Sequence, residues 1–408
     1  MVPAEPIPSR TLVTCSDFGR ALRTAAGTAR LAPSSHNCQP WALLRLSGAD
    51  ARASAARLLR QPGGGPARAD SEYVAVILDR GRQLDSLASH ELEMQLSCGA
   101  FTQLLTRTLA CQGWWLERAV LTDEPGGWAY RSVPAPVRAL RDAGWRPDWS
   151  LLAVLELRYA GMPEGSLTEY QELTAARRTN RGPYQDRAVP ADVLEQLLKP
   201  APGLAAEADL DIRHLTARTD LDRFVSFVAR YAGRDFSHPE AWRETYAYIR
   251  PTRAEAERRG DGFALSQLFG PLHPLRAAAL RTALRPATMR VLRHVGYPRV
   301  LASRMAAAIR PTPAVVAMGL TPGSPGSPGA ADVLRAGARL ADYWLTATRH
   351  SLALHPISIV LQHEDLRERL QSCLGLPGRT VFVSRLGHAE TGFPPAPRRG
   401  ADTFTHTL

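Results

Sequence analysis

A chain of 408 residues, 45% hydrophobic and 22% charged, is apolar enough to bury a core and long enough for about two or three structural units. No run is long and apolar enough to span a bilayer, and residues 1–10 contain no apolar signal-peptide stretch, so the expectation is a cytoplasmic protein with no membrane partner. The formal charge of +11 invites a nucleic-acid reading. However, Lys199 is the single lysine and the arginines run along the chain without a dense basic block, which points to coding bias and against a nucleic-acid partner.

In chain order, residues 16–32 read as a helix with Ser16 or Asp17 as cap, followed by a loop over 33–40 and a strand over 41–46. A helix over 51–60 stops at the Pro/Gly breaker of 62–66, and the apolar run 73–78 reads as a buried strand. Residues 84–112 form the long helix of this half. Leu87, Leu92, Cys98, Phe101, Leu105 and Leu109 share one broad face of it, and Gly113 is its stop. Strands follow at 115–121 and 150–157.

The pattern then restarts. Helices are expected at 167–178 and 191–198, a strand at 210–215, a helix at 220–231 and a strand at 315–320. A second long helix over 332–354 repeats Leu334, Ala338, Ala341, Leu345 and Leu352 at helical spacing, and 380–386 closes as a strand. The tract 322–329 reads as a loop, and the tail from Phe393 as extended. Residues from about 254 to 310 have no counterpart in the first half and read as an insertion covering a site. The expected fold is α+β, built from a duplicated unit with halves 1–163 and 164–408.

Motifs for several chemistries are missing. There is no Gly-x-Gly-x-x-Gly, no Walker lysine, no Gly-x-Ser-x-Gly and no second histidine after His90-Glu91 or His363-Glu364. The five cysteines are widely spaced, odd in number and without Cys-x-x-Cys, so neither a disulfide framework nor a zinc knuckle is expected. An enzyme of this composition would borrow its chemistry from an organic cofactor.

Three segments carry the signal. The loop Pro33-Ser34-Ser35-His36-Asn37-Cys38-Gln39-Pro40-Trp41 is rich in small donors. On residue types alone it is equally a cradle for a flat heteroaromatic edge or a capped turn with a packed tryptophan. Arg177-Arg178-Thr179-Asn180-Arg181 could converge on a phosphate, or could be a solvated basic helix end favoured by the dipole. Arg398-Arg399 is by itself a basic tail.

Together these segments resemble the nitroreductase superfamily. The first is similar to its Pro-Ser-x-x-Asn-x-Gln-Pro-Trp loop, the second to its Arg-x-Ser/Thr-x-Arg/Lys segment, and the third to the basic residues near its C-terminus. A fourth match, Pro356-Ile357-Ser358, follows the long helix where the family places backbone donors facing the flavin; Ser358-Ile359 replaces the usual Glu-Gly. The order of motifs is unusual, because the Pro-Ser loop lies in one half and the basic segments in the other. This arrangement resembles the fused, Acg-type flavoproteins.

The resemblance implies one FMN per chain in a site shared between the halves. Arg177, Thr179, Arg398 and Arg399 would hold the phosphate and ribityl chain, and Arg181 would sit near the pyrimidine edge. Ser34, Ser35, Asn37 and Gln39 would reach in from the first half, with Pro356, Ile357 and Ser358 beside the ring. It also implies a monomeric pseudo-dimer with Phe101, Leu105, Leu345 and Leu352 on the covered face. The implied activity is an FMN-dependent reductase or dehydrogenase of a small molecule, with NADH or NADPH as possible reductant and no protein nucleophile. The alternative is an FMN-storage protein without turnover.

Overall fold

The structure is a computed structural model that describes residues 15–60, 70–123, 135–142, 144–321, 328–376 and 378–408. The lead-in at 1–10, the breaker at 62–66 and most of the 322–329 tract lie outside the described residues.

The first part of the chain runs α1 (Cys15–Ala29), β1 (Trp41–Arg45), α2 (Ala49–Leu59), β2 (Ser71–Asp79), α3 (Ala88–Ala110), β3 (Trp114–Leu121), α4 (Ala135–Asp142) and β4 (Trp149–Tyr159). After α5 (Leu167–Ala176) and α6 (Ala191–Leu197) come β5 (Leu210–Leu215) and α7 (Arg218–Tyr231). A run of small elements follows: α8 (Gly233–Ser237), α9 (Pro239–Ala247), β6 (Ile249–Arg250), α10 (Arg253–Arg259), β7 (Phe263–Ala264), α11 (Leu265–Phe269), α12 (Pro274–Ala283), α13 (Pro286–Leu292) and α14 (Tyr297–Ile309). The chain ends with β8 (Ala314–Leu320), α15 (Ala330–Arg349), β9 (Ala353–Pro356), α16 (Glu364–Leu374), β10 (Arg379–Gly387) and β11 (Thr405–Thr407).

Two main sheets result, with orders β11-β1-β2-β4-β3 and β5-β8-β10-β9. With β11 set aside, each has its first, second, fourth and third strands side by side, all antiparallel. Each places its long helix, α3 or α15, between its second and third strands. The inner strands β2, β4 and β8 are almost wholly buried, as their apolar runs require.

The long helices cross at glycines. A Cβ on Gly99 would lie 3.0 Å from the Gly337 Cα and inside the Leu334 carbonyl, and one on Gly337 would strike the Leu96 carbonyl in the same way. Phe101, Leu105, Leu334, Ala341 and Leu345 share the resulting core. Leu352, expected on this face, instead packs with Trp344 and Leu354 under the second sheet.

Three boundaries depart from the sequence reading. The second long helix stops at Arg349 and not at 354, because Ser351 takes a left-handed φ of 57° and turns Ala353–Pro356 into the sheet beside β10. Small elements occupy the chain from Gly233, ahead of the expected 254, between α7 and β8. The tail is not merely extended: β11 pairs parallel with β1, and Phe404 is buried against Phe101 with ring centroids 5.7 Å apart. The last residues of the chain thus complete the first sheet.

Candidate functional site

The Pro-Ser loop leaves α1 and closes on itself before entering β1. Ser34 accepts from the Asn37 N–H through its carbonyl at 3.0 Å and from the Gln39 N–H through Oγ at 3.1 Å. Its backbone is strained, with His36, Asn37 and Gln39 at φ of 50°, 53° and 52°. Such conformations cost roughly 1–2 kcal/mol per residue, so fixed partners must hold them. Buried Asn37 donates to the carbonyls of Gly262 and Pro397, both at 2.9 Å, and accepts from Arg398 Nη1 at 2.6 Å. Gln39 donates to the Gly260 carbonyl at 2.7 Å and accepts the Arg399 N–H at 3.0 Å. Both amides are therefore used to clasp the turn 260–262 and the tail onto the loop. They were expected to reach toward a cofactor, but have no donor left over.

Arg177 and Arg398 meet at the end of α1. Arg177 Nη2 donates to the Leu31 carbonyl at 3.0 Å, and Arg398 Nη2 reaches the Leu31 and Ala32 carbonyls at 3.4 Å. The Arg177 guanidinium lies 4.6 Å from the Trp344 ring centroid. Arg177 Nε and Nη1 and Arg398 Nε are buried without a partner, and among the described residues neither arginine forms an ion pair. Burial, then Arg398 and Arg178, lowers Arg177 to about 9; burial, then Arg178 and Arg30, lowers Arg398 to about 10. The two guanidinium groups share the Leu31 carbonyl, and among the described residues no carboxylate pairs with either.

The segment of Arg177 also runs beside β9, where Thr179 forms a parallel bridge to Leu354 and Asn180 N–H donates to the Leu354 carbonyl at 3.0 Å. This carries Arg181 under the insertion, 5.2 Å from the Phe263 ring centroid. Burial lowers its pKa to about 10.

No known family profile matches the chain. Among characterised sequences it is 30% identical over 387 residues, 94% of this chain and 92% of the relative, to the probable NAD(P)H nitroreductase PigM of Serratia sp. (strain ATCC 39006). The chain belongs to the nitroreductase superfamily. Among solved structures, the FMN-dependent nitroreductase NfnB of Mycobacterium smegmatis, in complex with NADPH, aligns at 15% identity and a TM-score of 0.34 over 58% of this chain and 96% of its own. A nitroreductase with bound FMN from Bacteroides fragilis NCTC 9343 aligns at 13% identity and 0.30, over 56% and 92%.

Arg399 and residues 356–358, also expected at the site, have other contacts in this structure. Arg399 turns away from Arg177: its Nη2 donates to the Gln39 and Trp41 carbonyls at 2.9 and 2.8 Å, and it borders a cleft with Asp79, Arg82 and His406. Arg398 and Arg399 thus have different partners in this structure. Ile357 is not a free backbone donor. Its N–H bonds the Val383 carbonyl at 2.8 Å and its side chain is in the second core, while Pro356 pairs with Ser384 and Ser358 opens a 3₁₀ turn.

The sequence reading also missed a polar network behind the loop. Ser35 Oγ donates to the Glu93 carboxylate and lies 3.2 Å from His36 Nδ1, and Thr245 Oγ1 is 3.1 Å from His36 Nε2. Burial holds His36 at about 4, so the imidazole is neutral. Beside it, His90 on α3 pairs with Glu244 on α9 at 2.8 Å. Burial opposes the charge on both. The mutual hydrogen bond and the charges of Glu93, Glu244 and Asp235 together outweigh it, raising His90 above its ordinary value; the hydrogen bonds from His90, Ser86 and the Asp85 N–H, with the His90 charge, together bring Glu244 to about 2. These residues lie in three distant segments, and only spatial proximity connects them.

Proposed function

We propose that this member of the nitroreductase superfamily is an FMN- and NAD(P)H-dependent oxidoreductase of a small organic molecule, with one FMN held between two fused halves. The observation that carries the reading is the pair Arg177 and Arg398, which have buried N–H groups without partners and no carboxylate between them. Such a donor set fits a phosphate, which accepts charge-assisted hydrogen bonds from guanidinium groups. Bound FMN would supply the hydride chemistry. Arg177 and Arg398 would fix its phosphate, Thr179 would line the path from there, and Arg181 would lend positive charge near the other end. Ser34, Asn37 and Gln39 would act indirectly, by holding the tail and the 260–262 turn in place around the site. The named relatives support cofactor and reductant, since one is called an NAD(P)H nitroreductase and another contains NADPH.

The repeated strand order and the crossing of α3 with α15 support the fused reading, with halves 1–163 and 164–408 forming a monomeric pseudo-dimer. One observation favours storage without turnover: the turn 260–262 is clasped shut over the loop by Asn37 and Gln39. Anaerobic mixing of the flavin-loaded chain with NADPH or NADH separates the two. Bleaching of the flavin absorbance followed by reoxidation with a quinone or nitroarene supports the enzyme; no reduction by either donor supports storage.

A further inference from the structure

The insertion carries a charge asymmetry that whole-chain composition conceals. From 262 to 310 there are eight arginines and no aspartate, glutamate or lysine. Just before this stretch, Arg253 and Arg259 pair with Glu257 and Glu255. After it begins, no arginine forms an ion pair among the described residues, and seven of the eight are exposed. The absence of acids, more than any density of arginines, makes this stretch strongly basic.

The same stretch carries an unusual share of exposed apolar surface. Of eight large hydrophobic residues exposed among the described residues, five are here: Phe269, Leu275, Val291, Val295 and Val300. Leu275 and Val295 are each 76% exposed and Val291 66%. Helix α12 has six Leu or Ala among its ten residues, yet buries none of them. Val291 and Val295 are one turn apart on α13 and the 3₁₀ turn that continues it, so they emerge on the same side. Scattered single hydrophobics need no explanation, but this clustering does.

We propose that the α12–α14 face is a peripheral docking surface for an anionic phospholipid bilayer. Arginine attracted to lipid phosphates, with aliphatic side chains inserted at the headgroup boundary, is the chemistry of interfacial helices. A nucleic acid would use the arginines but give Leu275, Val291 and Val295 nothing apolar to enter. No described helix is long and apolar enough to cross a membrane, and an interfacial surface requires none.

The test is flotation of the full chain with vesicles of phosphatidylcholine alone or with about one-third phosphatidylglycerol. The chain should float with the anionic vesicles only, and raising salt from about 0.1 to about 0.5 M should weaken binding at least about tenfold. The double variant Leu275→Glu/Val295→Glu should lose binding by at least about tenfold with unchanged circular dichroism, since both side chains are exposed. Arg281→Glu/Arg290→Glu should lose it as well. The proposal is overturned if the chain stays in the supernatant with anionic vesicles at low salt. It is also overturned if Leu275→Glu/Val295→Glu floats as the wild type does, or if duplex DNA displaces the vesicles and binds that variant undiminished.

Discussion

Gly99 of α3 and Gly337 of α15 face each other where the two long helices cross, and each stands against the backbone three residues before the other. This reciprocity brings the helices to backbone contact and sets the loop of the first sheet against the arginine segment of the second. Helix propensity alone would make Gly99→Ala stabilising by about 1 kcal/mol. Here the added Cβ would meet a carbonyl that cannot swing aside, so the helices must separate. A net loss of about 2–3 kcal/mol is expected, as for overpacked cores. The denaturant midpoint of Gly99→Ala should fall; a rise would show that the crossing is loose.

The tail provides a second point. Phe404 is buried against Phe101 and delivers β11 to the edge of β1, and Arg398 lies on the segment between β10 and this anchor. Phe404→Ala should cost about 3–5 kcal/mol, the usual range for a buried aromatic. It should also weaken FMN binding by loosening Arg398. For the same reason fragment 1–163, which lacks β11 and α15, should aggregate alone, and co-expression with 164–408 should rescue it.

Much of this was legible in the sequence because the strands and long helices have apolar periods that burial enforces. The Pro-Ser loop and Arg177-Thr179-Arg181 were found as motifs. The rest depended on relationships that periodicity does not encode. Thr405–Thr407 is a polar strand held by backbone pairing, so no alternation announces it. Asn37 and Gln39 look like ligand donors until Gly260, Gly262 and Pro397 occupy them. That Ile357 would bond Val383 could not be read from a Pro-Ile dipeptide.

A third prediction concerns pH. The raised pKa of His90 means its pairing with Glu244 stabilises the fold fully below the ordinary imidazole value near 6.5 and is lost as pH rises through the folded value. Glu244, depressed to about 2, contributes above the usual glutamate range and loses its effect only as pH falls toward 2. The latch between α3 and α9 is therefore strongest in mildly acidic solution. Hydrogen exchange in 233–260 should accelerate, relative to the strands, as pH rises from about 6 to above the raised His90 value, once corrected for intrinsic rates. In Glu244→Gln that acceleration should already be present at about pH 6. Equal protection at both pH values in the wild type would remove the latch.

Fourth, Arg177→Ala and Arg398→Ala should each weaken FMN binding by about 1.5–3 kcal/mol, the contribution of a charge-assisted hydrogen bond. Arg399→Ala should leave FMN affinity within about threefold of wild type and reduce stability instead, because its guanidinium holds the Gln39 and Trp41 carbonyls. Fluorescence titration of each purified variant with FMN reads the difference. An effect of Arg399→Ala equal to that of Arg177→Ala would mean that both tail arginines face the phosphate.

The most direct measurement of the shared site is flavin released by heat from the purified chain, counted against protein, for the wild type and for Arg177→Ala/Arg398→Ala. A shared site holds about one FMN per wild-type chain, and close to none in the double variant with its circular dichroism unchanged. Two flavins per chain, or a folded double variant that retains its full complement, would contradict it.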